Sequence, residues 1–384
     1  MAKEKLKVLS VLGTRPEAVK LAPVIRQLKE HAEIEAKVCV TAQHREMLDQ
    51  VLKVFDIEPD FDLDLMRPDQ SLAEMSAAIF THLDPILAVQ KPDWVIVQGD
   101  TTTVMAAAVN AYYRQIKVGH VEAGLRTYDK WQPFPEEINR RIAGTVADLH
   151  FAPTQRNQDN LIREGISADT ILITGNPVID AVRWIAAQPI PPAISTLLKD
   201  LAVSPYGSNR LVLVTAHRRE NFGIPLEQIC TAINRLADEY NGTVKFVYPV
   251  HRNPNVQDPV YRMLHLNSNI SLLPPLDYLP LVHLLKNSTL VLTDSGGIQE
   301  EAPGFGIPTL VLRDVTERQE GVEAGVLKLV GTDTDRIVDT ARSLLDNAAA
   351  YQQMARSANP FGDGHAAERI VQGLLDREGL HQVK

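Results

Sequence analysis

Twice along this chain a short apolar run of strand length gives way to a stretch of helical periodicity, and glycine or charged residues fill the passage between them. That alternation predicts parallel strands covered by helices on both faces, because each strand must return to the same sheet edge through a crossover. In the first half the strand runs are Val8 to Leu12, Ala36 to Thr41, Trp94 to Val97, Val118 to Val121, His150 to Ala152 and Ile171 to Thr174. Phe61 to Pro68 reads as irregular, and Ser71 to Val89 as a long amphipathic helix. Gly175-Asn176-Pro177, and then a loop carrying Pro189, Pro191 and Pro192, break the rhythm and mark a domain boundary. The second half resumes it with strands at Leu211 to Thr215, Val244 to Val250, Ile270 to Leu273, Leu290 to Thr293 and Thr309 to Leu312. A last helix spans Ala366 to Glu378. At 384 residues the chain is long for one core, so two doubly wound α/β domains facing each other are expected.

The polar segments share one position. Arg15, Asp100, Glu122, His217-Arg218-Arg219-Glu220, His251 and Ser295-Gly296-Gly297 each follow a strand run. Ligands of open parallel sheets bind beyond the carboxyl ends of the strands, so in facing domains these loops would converge on one cleft. Leu290 to Glu301 is the most telling stretch. Ser295 reads as an N-cap, and a helix is expected over Ile298 to Ala302. The glycines let backbone N–H groups approach an anion, and Glu301, on the face of Gly297, would accept hydrogen bonds from a ribose. The same residues also fit a tight turn with a solvated acid.

Other residues carry two readings as well. Arg15 is read as standing ahead of its helix, where a phosphate would lie, although with Lys20 it also fits an ordinary first-helix charge. Asp100 could cap the helix that follows it. Glu136 with Arg140, and Glu137 with Arg141, have the i,i+4 spacing of surface ion pairs. A net charge of −9 argues against a nucleic-acid partner. The two cysteines, Cys39 and Cys230, lie in apolar runs and read as buried side chains. Metal-ligand spacing, a G-x-G-x-x-G after a strand, a Walker A sequence and a nucleophile elbow are all missing, so neither a metal nor another cofactor is expected. The N-terminus shows no apolar leader, and nothing in the chain reads as approaching membrane-spanning length. A cytoplasmic protein with no membrane partner is the expectation.

Six segments in fixed order make the pattern specific. They are Gly13-Thr14-Arg15-Pro16-Glu17, Gln98 to Thr103, His120 to Arg126, Pro135 to Arg140, Thr215 to Asn221 and Asp294 to Glu301. Together they resemble the non-hydrolysing UDP-N-acetylglucosamine 2-epimerases of bacteria, over Val8 to about Gly364. The resemblance implies a glycosyltransferase-B architecture with an N-terminal Rossmann-like domain at 1–176, a UDP-binding one at 177–362, and 363–384 crossing back to the first. It implies a homodimer that interconverts UDP-GlcNAc and UDP-ManNAc by anti elimination of UDP to 2-acetamidoglucal and re-addition, feeding ManNAc into cell-surface polysaccharide.

By motif match Asp100, Glu122, Glu136 and His217 belong to the catalytic set, with Lys20 and Arg140 in support. Arg15, His217 and the N–H groups of Ser295, Gly296 and Gly297 would hold the diphosphate. Glu301 would take the ribose, and Arg318 would line the sugar-diphosphate region. The resemblance also implies an allosteric UDP-GlcNAc site around Gln43, His44, Glu46, Arg67, Glu136, Arg218 and His251. Glu46 and Leu281 stand where the family commonly has glutamine and phenylalanine, and losing that ring would weaken stacking on the uracil. A hydrolysing epimerase, a glycosyltransferase of the same architecture and a non-catalytic UDP-sugar sensor are the competing readings.

Overall fold

The computed structural model describes residues 5–41, 45–67, 69–203 and 209–380. The chain divides into two compact units, Met1–Ala181 with Phe361–Lys384, and Val182–Pro360.

The first unit is built on a seven-stranded parallel sheet. Its strands are β1 (Leu6–Leu12), β2 (Ile34–Val40), β3 (Phe61–Asp62), β4 (Trp94–Gln98), β5 (Lys117–Val121), β6 (Leu149–Ala152) and β7 (Ile171–Ile173), in spatial order β3-β2-β1-β4-β5-β6-β7. Helices fill the crossovers, and local chemistry fixes where several begin. Thr14 and Glu17 form a capping box at helix Arg15–Glu30, and Ser71 and Glu74 form one at helix Leu72–Gln90. Helix Leu72–Gln90 corrects one expectation, since by length and composition it could cross a membrane. A stripe of Met75, Ile79, Leu83 and Leu87 is buried in the core beside Val95, Val97 and Ala107. Periodic burial of one face is the behaviour of a helix lying on a sheet.

The second unit carries a six-stranded parallel sheet. Its strands are β8 (Arg210–Thr215), β9 (Val244–Pro249), β10 (Ile270–Leu273), β11 (Leu290–Thr293), β12 (Thr309–Val311) and β13 (Leu327–Leu329), in order β10-β9-β8-β11-β12-β13. Its core on one sheet face includes Phe246, Tyr248, Ile229 and Ile233, and on the other Leu211, Leu213, Val291 and Leu285. Both cysteines are buried and unbridged, and burial pushes each thiol up to about 12.

The strand order reverses in the same way in both sheets. In the first unit the reversal falls between β1 and β4, and in the second between β8 and β11. Loops leaving adjacent strands in opposite directions open a crevice there, which is where doubly wound sheets hold ligands.

Candidate active site

At the first reversal, β1 runs into Gly13-Thr14-Arg15 and β4 into Gly99-Asp100. Arg15 is the first residue of its helix and not, as expected, ahead of it, because Thr14 takes the N-cap. Gly13 has no room for a side chain, since a Cβ would lie 2.1 Å from Thr41 Oγ1. Lys20, one turn further on, places Nζ 2.5 Å from Glu122 Oε1. Glu122 follows β5 and is buried, with φ at +61°. Its carboxylate also accepts from Gln98 Nε2 and from Asn176 Nδ2, the latter at 2.9 Å.

Asp100 does not cap the following helix. Thr101 does so, its hydroxyl accepting from Val104 N–H. Asp100 instead pairs with Arg140, which also contacts Glu137 at 3.4 Å. Burial pushes the Asp100 carboxyl above its ordinary value, Arg140 opposes this, and Glu122 adds to it.

The surface ion-pair reading of helix Glu136–Val146 fails. Glu137 is fully buried and accepts from Thr127 N–H at 3.0 Å and Tyr128 N–H at 3.2 Å, while Arg141 approaches Glu164 at 3.7 Å. The loop before the helix folds over that carboxylate, which i,i+4 spacing alone does not register. Glu136 stands in the first turn of the same helix. Its Oε2 is buried without a hydrogen-bond partner among the described residues. A buried acceptor of that kind is matched when a ligand supplies the donor.

Beneath these residues, His120 Nε2 lies 2.7 Å from Gly99 O, so the ring donates there and its neutral form carries the proton on Nε2.

At the second reversal, β8 runs into Ala216-His217-Arg218 and β11 into Asp294-Ser295-Gly296. Asp294 ties the two loops together. It is fully buried and accepts from His217 N–H at 2.8 Å, Arg218 N–H at 2.8 Å and Asn221 Nδ2 at 2.9 Å. The helix expected over Ile298 to Ala302 begins earlier, at Gly296, and ends at Glu301. Ser295 occupies the N-cap position but its side chain makes no capping bond.

Gly296 is buried between two guanidinium groups, and a Cβ there would lie 3.4 Å from both Arg218 Nη2 and Arg318 Cζ. Glu300, also buried, holds Arg318 through Nε at 2.8 Å. Glu301 is buried and accepts from Tyr278 O–H at 3.2 Å. The first N–H groups of a helix, flanked by two cations, form a site suited to a diphosphate.

His217 stacks on His251 with ring centroids 5.4 Å apart. Burial pushes the His217 imidazole below its ordinary value, Asp294 opposes this, and His251 and Arg218 reinforce it.

Of the residues expected at an allosteric site, Arg218 and His251 therefore stand beside His217. Arg67 is exposed, on the segment after β3. Glu46 lies in helix Arg45–Val54, and Gln43 and His44 lie outside the described residues. Leu281, on helix Tyr278–Lys286, packs against the core of the second unit.

Sequence reasoning missed Gln98, His120, Asn176, Glu137, Asp294 and Glu300 as contributors. Gln98 and Asp294 were within reach, because each sits beside a residue already singled out. Glu300 adjoins Glu301 in the same segment, whereas Asn176 was read only as part of the domain boundary.

These features define a class: an α/β protein of two Rossmann-like units, of the kind found in glycosyltransferase-B-type epimerases, with a polar loop cluster at the switch point of each sheet. The family model described as UDP-N-acetylglucosamine 2-epimerase matches residues 26–375, and the chain belongs to that family. The UDP-N-acetylglucosamine 2-epimerase of Escherichia coli K12 is 51% identical over 372 residues, covering 96% of this chain and 98% of the relative. Among solved structures, the UDP-GlcNAc 2-epimerase of Neisseria meningitidis bound to UDP-GlcNAc is 48% identical, with a TM-score of 0.85 and coverage of 97% and 100%. The Methanocaldococcus jannaschii enzyme in complex with UDP-GlcNAc and UDP is 32% identical, with a TM-score of 0.77 and coverage of 97% and 100%.

Proposed function

We propose that the protein interconverts UDP-GlcNAc and UDP-ManNAc by a non-hydrolysing route. The C2 hydrogen of the sugar is not adjacent to a carbonyl, so removing it needs a leaving group that takes up charge. A base takes the C2 proton, the C2–H electron pair becomes the C1=C2 bond, and the C1–O pair departs with UDP. An oxygen of the UDP diphosphate then re-adds to C1 of the 2-acetamidoglucal while an acid protonates C2 from the other face. Atoms and electrons balance without an oxidant or water.

The observation that carries this reading is Glu122, buried and paired at 2.5 Å with Lys20 beside the Asp100–Arg140 pair. Two carboxylates with separate cationic partners suit the removal and return of one proton. Glu122 is the essential acid/base, and the raised pKa of Asp100 suits it to carry a proton on the opposite face. Arg15, Arg218, Arg318, His217 and the N–H groups of Gly296 and Gly297 stabilise the charge developing on the leaving diphosphate. Glu301 accepts from the ribose hydroxyls.

The test is incubation with UDP-GlcNAc in D₂O, without acceptor or added cofactor, followed by NMR. The expected product is UDP-ManNAc carrying deuterium at C2, with only traces of UDP. Free sugar and UDP in equal amounts would show hydrolysis, and an unchanged spectrum would overturn the epimerase reading for this chain.

A further inference from the structure

Glu122 adopts a left-handed backbone conformation, φ +61°, that is uncommon for a residue other than glycine. At least three described side chains hydrogen-bond its carboxylate. Lys20 and Asn176 reach Oε1 at 2.5 and 2.9 Å, and Gln98 reaches Oε2. Asn176 differs from the other two in what stands behind it. Its Oδ1 accepts from Val178 N–H at 3.1 Å, which starts helix Pro177–Ala186, the last helix before the chain leaves the first unit. Its backbone N–H donates at 2.7 Å to Phe361 O, where the chain returns.

The two passes are closely tied around this point. A Cβ on Gly175 would lie 3.2 Å from Gly362 Cα, and the Asp180 carboxylate accepts from Ala366 and Ala367 N–H at 3.2 and 2.9 Å. A turn-forming asparagine explains the bond to Val178. It does not explain an amide aimed at a buried carboxylate.

We propose that Asn176 is a positioning residue for the reaction, linking the crossover of the chain to the orientation and charge of the Glu122 carboxylate. This rests on Glu122 being the acid/base. Among the described residues, the charged or titratable groups around that carboxylate include Lys20 from helix Arg15–Glu30, Asp100 from the loop after β4, Arg140 from helix Glu136–Val146, and the neutral His120 on β5.

Asn176→Asp tests it. The variant keeps the shape and the acceptor for Val178 N–H, and replaces the amide donor by an anion. A like charge disfavours ionisation, so the limb of the kcat–pH profile that reports Glu122 moves to higher pH, by about one unit. At neutral pH kcat falls roughly ten- to a hundredfold, while KM and the Kd for UDP stay within about twofold of wild type. Asn176→Ala, lacking both bonds, loses kcat with a smaller pH displacement.

An unchanged kcat and profile in Asn176→Asp, or a loss matched by equal losses of UDP affinity and Tm, would overturn the proposal. Glu122→Gln separates the two levels of inference. If Glu122→Gln exchanges the C2 proton at the wild-type rate, both readings fall. If it is inactive while Asn176→Asp behaves as wild type, only the role of Asn176 falls.

Discussion

His120 and His150 face each other across β5 and β6, and both are buried. Burial pushes His120 down to about 4 and His150 to about 3, so both rings are neutral in the folded protein across the usual working range. An unfolded chain lets them titrate near 6.5, so below that pH the unfolded state binds the additional protons. Their effect is therefore stability that is full above about pH 6.5 and declines by about 1.4 kcal/mol per pH unit per ring as pH falls toward the folded values. Replacing one ring removes its share. Urea unfolding of His150→Phe is expected to show a stability–pH slope between pH 6.5 and 4 smaller by about 1.4 kcal/mol per unit than wild type, and an identical slope would refute the assignment. These two residues show what residue-level reading of the sequence can reach. His150 was legible as part of an apolar strand, and so as buried. Its titration depends on its cross-strand neighbour, which only the register supplies. Glu137 shows the same limit, because the residues that bury its carboxylate come from a loop the helix pattern does not contain.

Elements were more legible than contacts, because apolar runs and caps are local. Leu290 to Thr293 and Ile270 to Leu273 are strands over the residues expected. The misses have local physical causes. β3 is only two residues long, and β13 is an edge strand of three with an exposed lysine at its centre, so neither makes an apolar run. The proline-rich segment read as loop contains helix Pro192–Asp200, since Pro191 and Pro192 occupy the cap and the first turn, where a missing N–H costs nothing. The last helix, Ala366–Arg377, was recognised, and the structure shows what it joins. Ile370, Val371, Leu374 and Leu375 are fully buried, and just beyond its end Glu378 accepts from Trp94 Nε1 at 3.0 Å and Lys117 Nζ at 2.5 Å. The first unit thus closes on a segment that follows the whole second unit in sequence. Leu374→Ala is expected to lower stability by about 2–5 kcal/mol in urea unfolding, the range for a fully buried leucine. A change below about 0.5 kcal/mol would mean that the helix contributes nothing to the first unit's core.

At the scale of the whole molecule, the sequence showed that polar segments recur after strands in both halves, and the structure places such segments at the switch point of each sheet. The sequence did not disclose the partners that orient each group, such as Asp294 beneath the His217 loop or Glu300 behind Arg318, since those pairs are joined only when strands distant in sequence become neighbours. The proposed mechanism divides its tasks between the units. In it the second unit and Arg15 grip UDP and the carboxylates of the first unit move the proton, so a carboxylate variant should leave UDP binding intact. A ligand that binds only the folded state stabilises it by RT ln(1 + [L]/Kd), about 2.7 kcal/mol at a hundred times Kd. Glu122→Gln, altered in the first unit, is expected to keep this UDP-dependent stabilisation while losing C2 exchange by roughly 10²–10⁴-fold, the usual loss when a general acid or base is removed. Glu301→Ala removes the proposed acceptor for the ribose, and a hydrogen bond to a charged group contributes about 1.5–3 kcal/mol. At the same UDP concentration its stabilisation should fall to about 1.4 kcal/mol or less, since Kd rises tenfold or more. Thermal unfolding of both variants with and without UDP reads the two tasks side by side. Loss of the UDP response in Glu122→Gln, or its full retention in Glu301→Ala, would contradict the division.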